Sequence, residues 1–158
     1  GERVIICKGA GNDAGWVHRY YRFRSFRTQL APTSGSMGYG LPAAVAAKLD
    51  APDQEVICFA GDGCFMMHGQ ELATAMKHNL DITIIVSNNS TYGTIRMHQE
   101  RDYPRRVSGT DLSNPNFAKL AEAYGAWGTR VERTADFPAA FAAARAHQGP
   151  ALIELMTS

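Results

Sequence analysis

Gly61-Asp62-Gly63 and Asn88-Asn89 are the groups in this chain best suited to hold a ligand. The first follows the apolar run Glu55–Ala60 and the second follows Ile82–Ser87, so each stands where a buried strand would end. Ligands of open α/β sheets bind outside the carboxyl ends of strands. Asp62 supplies a hard anionic oxygen and Asn89 a neutral one, while Gly61 and Gly63 let the backbone come close to whatever is bound. Oxygen ligands from two neighbouring strand ends suit Mg²⁺, which binds one or two carboxylates and completes its octahedron with phosphate and water oxygens. The implied ligand is a magnesium-bridged diphosphate.

The elements that must position these groups alternate along the chain. Val4–Cys7, Val56–Ala60, Ile82–Ser87, Gly125–Val131 and Ala151–Met156 read as strands. Between them, Gly38–Leu49, Gly69–His78, Pro115–Tyr124 and Phe137–His147 carry apolar residues at helical spacing. Asn114-Pro115 reads as a cap followed by Pro at the first helical position, and Asp136 as the cap of the next helix. Strands that are apolar on both faces and separated by helices predict an α/β fold, a doubly wound parallel sheet with helices on both faces. Gln99–Ser113 interrupts the rhythm with charge, Pro104 and Gly109, and reads as a mobile loop near the site.

A chain of 158 residues, 45% hydrophobic and 20% charged, suffices for one domain with a real core. Its net charge of +1 gives no field that would steer nucleic acid or an anionic membrane. Cys7, Cys58 and Cys64 have apolar neighbours and no C-x-x-C spacing, so the expectation is free thiols in the cytoplasm. No stretch has the length of a membrane span. With no Met at its start and a strand almost at once, the sequence reads as one domain of a longer protein.

Two other motifs point elsewhere. Gly9-Ala10-Gly11-Asn12-Asp13-Ala14 after the first strand matches the dinucleotide fingerprint and raises an NAD-binding alternative. That fingerprint needs an acid ending a second strand about twenty residues on, and Ala31–Gly35 offers neither acid nor strand. His18–Arg27 interleaves basic and aromatic residues as single-strand nucleic-acid platforms do. Near-neutral total charge favours a connecting segment that packs its aromatics against the domain or a partner. No histidine pair has zinc-like spacing with cysteine. A non-catalytic domain that has kept the fold is the remaining alternative.

With GDG and NN in this order, Asp62 and Asn89 lying twenty-seven residues apart, the chain resembles thiamine diphosphate-dependent enzymes. Two longer blocks, Thr33–Ala44 and Gly61–Ala75, resemble the acetolactate synthase branch, and the likeness covers nearly the whole chain. Such enzymes pair a pyrimidine-binding domain with a diphosphate-binding domain, and this chain resembles the second. The resemblance implies thiamine diphosphate and Mg²⁺ as cofactors, with Asp62, the Asn89 side chain and the Thr91 carbonyl as metal ligands. It gives the diphosphate to backbone N–H groups of Gly63 and Cys64, and counts Gly11, Asn12, Gly61, Tyr92, Gly93 and Thr94 among the cofactor-binding residues. Met37 in the Gly35-Ser36-Met37 block becomes the wedge beneath a bent cofactor, and the Gly35 carbonyl accepts from its aminopyrimidine. Gly35, Ser36 and Met37 thus join the cofactor contacts, and Gly35 and Met37 carry the catalytic assignment.

The same resemblance implies a 2-keto acid substrate and a full site formed with a pyrimidine-binding domain in a homodimer or homotetramer. The near-neutral charge and the want of a span-length apolar stretch lead to the expectation of no nucleic-acid and no membrane partner. The activating glutamate belongs to that other domain and has no counterpart here, so this chain alone is expected to be an inactive half-site. Tyr92–Arg96 ends in a cation where simple pyruvate decarboxylases carry a catalytic Glu. His98 stands where acetolactate synthases carry a Trp, and Asn12-Asp13 replaces their usual Gln-His pair.

Overall fold

The structure, a computed structural model, describes residues 3–157. Six strands, β1 (Val4–Lys8), β2 (Gln29–Leu30), β3 (Glu55–Gly61), β4 (Ile82–Asn88), β5 (Trp127–Val131) and β6 (Ala151–Met156), form one sheet in the order β2-β1-β3-β4-β6-β5. Every pairing is parallel. The helices are α1 (Asn12–Tyr20), α2 (Gly40–Asp50), α3 (Asp62–His68), α4 (Leu72–Lys77), α5 (Gly93–Asp102), α6 (Phe117–Ala123) and α7 (Phe137–Ala146).

Helices cover both faces, because a parallel sheet needs a crossover for each strand and its apolar strands must be buried twice. Cys7, Val56, Cys58, Ile82, Ile84, Val86 and Leu152 pack with residues of α2, α3, α4 and α6 into the main core. Ile6, Ile57 and Ile85 point the other way, towards Val17 of α1 and Phe137 and Phe141 of α7. Phe117, fully buried on α6, meets the Phe65 ring edge-on at 5.4 Å and ties α6 to α3. Two glycines set how close the layers lie. A Cβ on Gly40 would stand 3.3 Å from Cys58 Sγ and 3.4 Å from the Gly9 nitrogen. A Cβ on Gly128 would stand 2.2 Å from the Ala118 carbonyl oxygen, so β5 touches α6 backbone to backbone.

The chain leaves β1 for β2 on one side of the sheet, whereas β3 lies on the other side of β1. The order therefore reverses between β1 and β3, and a crevice opens above their carboxyl ends. Gly61 pairs in register with Ser87, which brings the turns after β3 and β4 to one height at the rim of that crevice.

Several local expectations change. Gly9-Gly11 leads into a helix, α1, that the apolar spacing does not signal, and a two-residue strand, β2, precedes Ala31. No acid follows β2, so the dinucleotide fingerprint still lacks its ribose partner. In His18–Arg27 the Phe23 ring packs on the domain, but Tyr20 and Phe26 are 74% and 83% exposed. Gln99–Ser113 is not a free loop. Its first residues complete α5, Gln99 and Ser108 exchange two hydrogen bonds, and Thr91 bridges to Asp111. α6 starts at Phe117 with Asn116, not Asn114, as its cap, the Asn116 carboxamide accepting from the Lys119 N–H. Asp136 precedes α7, but its carboxylate binds the Arg133 guanidinium instead of the helix. The three cysteines are buried free thiols, and no helix among the described residues is long and apolar enough to cross a membrane.

Candidate functional site

The turn after β4 is built around Ser90, whose φ of 54° lies in the left-handed region. That backbone turns its N–H back towards the sheet, where it donates to Asp62 Oδ2 at 2.7 Å and to Asn88 Oδ1 at 3.1 Å. Asn89 Oδ1 accepts from the Thr91 N–H at 3.1 Å, a side-chain turn of the kind Asn favours. The chain then passes into α5, and the segment around Thr110 braces it. The Thr110 carbonyl accepts from the Tyr92 N–H at 2.8 Å and the Thr91 hydroxyl at 2.9 Å, and Leu112 N–H donates to the Ser90 carbonyl.

Asp62 is the first residue of α3 and is 3% exposed. Its Oδ1 accepts from the Gly63 N–H at 2.8 Å. Oδ2 accepts from the Ser90 N–H and from Asn114 Nδ2, each at 2.7 Å. A carboxylate has about four acceptor directions. Three are filled, and the open one lies on Oδ1.

A cavity of 490 Å³ opens at the switch point, within the size range of small-molecule sites. The turn after β1 contributes Gly11 and Asn12, the segment before α2 contributes Gly35 and Met37, and the turn after β3 contributes Gly61, Asp62, Gly63 and Cys64. Asn89, Thr91, Tyr92, Gly93 and Thr94 close the remaining side. Ser36 is the one predicted site residue outside this lining, and its hydroxyl instead bonds that of Ser34 at 2.8 Å. Gly35 has φ +69° with open space where a Cβ would stand, so its backbone is accessible from the cavity. A Cβ on Gly63 would lie 2.6 Å from the Tyr92 ring, which therefore forms the wall of a glycine-floored cradle. Across the cavity the Thr94 hydroxyl donates to Asn12 Oδ1 at 2.9 Å, joining the starts of α1 and α5.

Asp13 sits beneath this cradle. A Cβ on Gly11 would lie 2.2 Å from its Oδ1 and one on Gly61 would lie 3.1 Å from it, so both glycines make room for the carboxyl group. Its Oδ2 is buried and has no hydrogen-bond partner. Burial raises its pKa to about 6, and the nearby Asp62 adds to the rise. Hydrogen bonds from the backbone of Asp13 and Gly61 and the charge of Lys8 offset part of it. Lys8 is itself buried, which lowers its pKa against a smaller opposing effect of Asp13.

Asn114, Trp16 and Ile95 join the site without having been expected from the sequence. Trp16 on α1 and Ile95 on α5 line the cavity rim and are each about half exposed. Asn114 reaches Asp62 across 52 residues of sequence, and its Asn-Pro context suggests a helix cap instead. Asn88 is visible in the sequence as half of the Asn pair, but its structural partners are not. Its Oδ1 accepts from Asn114 at 2.9 Å and its Nδ2 donates to the buried Glu154 at 2.8 Å.

A carboxylate oxygen with one open direction and a neutral amide oxygen, both lining one glycine-floored cavity, suit a metal-bound phosphate group. A family model described as "Thiamine pyrophosphate enzyme, C-terminal TPP binding domain" matches residues 9–155. An acetolactate synthase of Mycobacterium avium is 39% identical over 152 residues, which cover 92% of this chain and 24% of that protein. The mitochondrial acetolactate synthase catalytic subunit of Aspergillus candidus is 36% identical over 157 residues, 99% of this chain and 23% of its own length. A solved structure, the thiamine diphosphate-dependent 4-hydroxybenzoylformate decarboxylase of Rhodococcus jostii RHA1, superposes with a TM-score of 0.93 at 33% identity. That match covers all of this chain and 30% of the decarboxylase chain. The chain thus spans about a quarter of the length of the curated relatives it matches. Thiamine diphosphate is the cofactor given in the family's description and in the name of the decarboxylase. The chain belongs to the thiamine pyrophosphate enzymes, as the C-terminal cofactor-binding domain of the acetolactate synthase-like branch.

Proposed function

We propose that this domain clamps the diphosphate and Mg²⁺ of thiamine diphosphate in a 2-keto acid carboligase or decarboxylase. The observation that carries the reading is the convergence of every predicted site residue except Ser36 on one cavity at the switch point. Asp62 Oδ1, the Asn89 side-chain oxygen and the Thr91 carbonyl hold the metal. Backbone N–H groups of Gly63 and Cys64, with Gly11, Asn12, Tyr92, Gly93 and Thr94, hold the diphosphate. The Gly63 N–H donates to Asp62 Oδ1 at 2.8 Å, which ties the carboxylate that would hold the metal to the cradle that would hold the diphosphate. The Gly35 carbonyl accepts from the aminopyrimidine, and Met37, half-buried at the cavity wall, fills the space between the rings.

When bound, the cofactor supplies a carbon nucleophile and an electron sink for cleaving the bond next to a 2-keto group. The residues of this chain bind it, bend it and keep water from it. The relatives are named both as synthases and as a decarboxylase, so carboligation and decarboxylation both fall within the proposal. A pyrimidine-binding domain, supplied across a homodimer or homotetramer interface in the cytoplasm, completes the site. Without that domain's glutamate the isolated chain does not turn over.

The test is ³¹P NMR of thiamine diphosphate titrated with the protein, with and without Mg²⁺, for the unmodified chain and Asp62→Ala. The reading requires shifts or broadening that depend on both Mg²⁺ and Asp62. Metal-independent binding, or an Asp62→Ala response equal to the unmodified one, would sink it.

A further inference from the structure

We infer that Asn114, Asn88 and Glu154 form a buried polar relay that fixes which oxygen of Asp62 is offered to the metal, making them positioning residues for the clamp. The inference rests on the proposed role of Asp62 and deepens it.

The relay is continuous. Asp62 Oδ2 accepts from Asn114 Nδ2 at 2.7 Å, and that same Nδ2 donates to Asn88 Oδ1 at 2.9 Å. Asn88 Nδ2 then donates to Glu154 Oε1 at 2.8 Å. Glu154 is completely buried in the middle of β6, where it accepts from the Ala118 N–H at 3.4 Å and lies 3.8 Å from the Arg130 guanidinium. A buried carboxylate in an otherwise apolar strand is costly unless it is paired and hydrogen-bonded. Here it has all three partners, one from β4, one from α6 and one from β5. A carboxamide cannot change its donors and acceptors. Glu154 accepts and so fixes Nδ2 of Asn88 inward, which leaves Asn88 Oδ1 facing Ser90 and Asn114. That carbonyl in turn orients the Asn114 amide so that its N–H reaches Asp62.

The consequence falls on Asp62. Its Oδ2 is filled by Asn114 and Ser90, and Oδ1 keeps one open direction. The metal is therefore taken by one oxygen only, and the carboxylate cannot rotate to offer both. Outer partners that orient a metal ligand typically set about 10- to 100-fold of its affinity. Five parts of the chain, β4, β5, β6, α6 and the segment before α6, contribute to this orientation, although none of the three relay side chains needs to touch the ion.

Mn²⁺ affinity in the presence of thiamine diphosphate, measured by electron paramagnetic resonance on the intact protein, tests this. Asn114→Ala and Glu154→Gln are compared with Phe117→Leu, which loosens the neighbouring helix α6 and removes none of the relay's side chains. The expected result is an Mn²⁺ Kd raised about 10- to 100-fold in Asn114→Ala and less in Glu154→Gln, whose amide oxygen still accepts from Asn88. Phe117→Leu should lower the thermal midpoint and leave the Mn²⁺ Kd unchanged. An Asn114→Ala Kd no different from that of Phe117→Leu would overturn the relay while leaving the clamp intact. Failure of the unmodified protein to bind Mn²⁺ would overturn the proposed function and the relay with it.

Discussion

Asp13→Asn should stabilise this domain at neutral pH and leave it unchanged in acid. The Asp13 carboxyl is buried, its Oδ2 has no partner, and its pKa stands at about 6 against an ordinary 3.8. At ~1.4 kcal/mol per pKa unit, ionising it inside the fold costs about 3 kcal/mol. For an acid whose folded pKa is raised, the favourable contribution is complete below about pH 3.8 and is lost as pH rises through about 6. Asparagine has nearly the same shape and keeps the acceptor that sits between Gly11 and Gly61, but it never ionises. Above pH 6 the variant should therefore be more stable by about 3 kcal/mol, and the advantage should shrink towards zero near pH 4. The loss of Asp13's charge leaves the buried Lys8 slightly less favoured and trims the gain. Urea unfolding of the ligand-free protein between pH 4 and pH 8 measures the difference directly. A variant no more stable than the parent at pH 7.5, or equally advantaged at both ends of the range, would refute the reasoning.

Three further outcomes follow from the packing. Gly128→Ala drives a Cβ to 2.2 Å from a backbone oxygen that no side-chain rotation can move, so the loss should reach the upper end of about 1–3 kcal/mol by urea unfolding. Phe117→Ala removes a fully buried ring from the α3–α6 interface and should cost about 3–5 kcal/mol in the same assay. Gly63→Ala collides with the Tyr92 ring at 2.6 Å and should weaken diphosphate binding about tenfold, ~1.4 kcal/mol. Tyr92→Ala added to Gly63→Ala should relieve the collision and leave only the effect of removing the cavity wall that the ring provides, which a double-mutant cycle by ³¹P titration resolves.

What the sequence revealed depended on how local the signal was. β1, β3, β4 and β6 fall within a residue or so of the apolar runs, because a strand buried on both faces in a parallel sheet reads as a continuous run. β2 is two residues long and carries no such pattern. α1 was hidden by Gly9 and Gly11, which describe its entry, and by a polar first turn whose Asp13 turns inward. The cavity was legible because glycines, Asp62 and Asn89 cluster at strand ends. The relay was not. Asn114 sits in an Asn-Pro pair with strong helix-start character, and only a helix beginning later, capped by Asn116, leaves the Asn114 side chain for Asp62. Its partner lies 52 residues away, and no periodicity betrays a pairing of that kind. Glu154 did leave a signal, a lone charge within the apolar run Ala151–Met156, and such a residue implies a buried partner.

Whether Asp62 and Asn89 meet one divalent ion at the switch point decides the proposed function. An anomalous difference map of the intact protein crystallised with thiamine diphosphate and Mn²⁺ tests it most directly. The expected result is a single peak at about 2.1 Å from Asp62 Oδ1 and from the Asn89 side-chain oxygen, with Oδ2 still held by Asn114. A peak that lies away from Asp62, or one bound equally by both of its carboxylate oxygens, would contradict it.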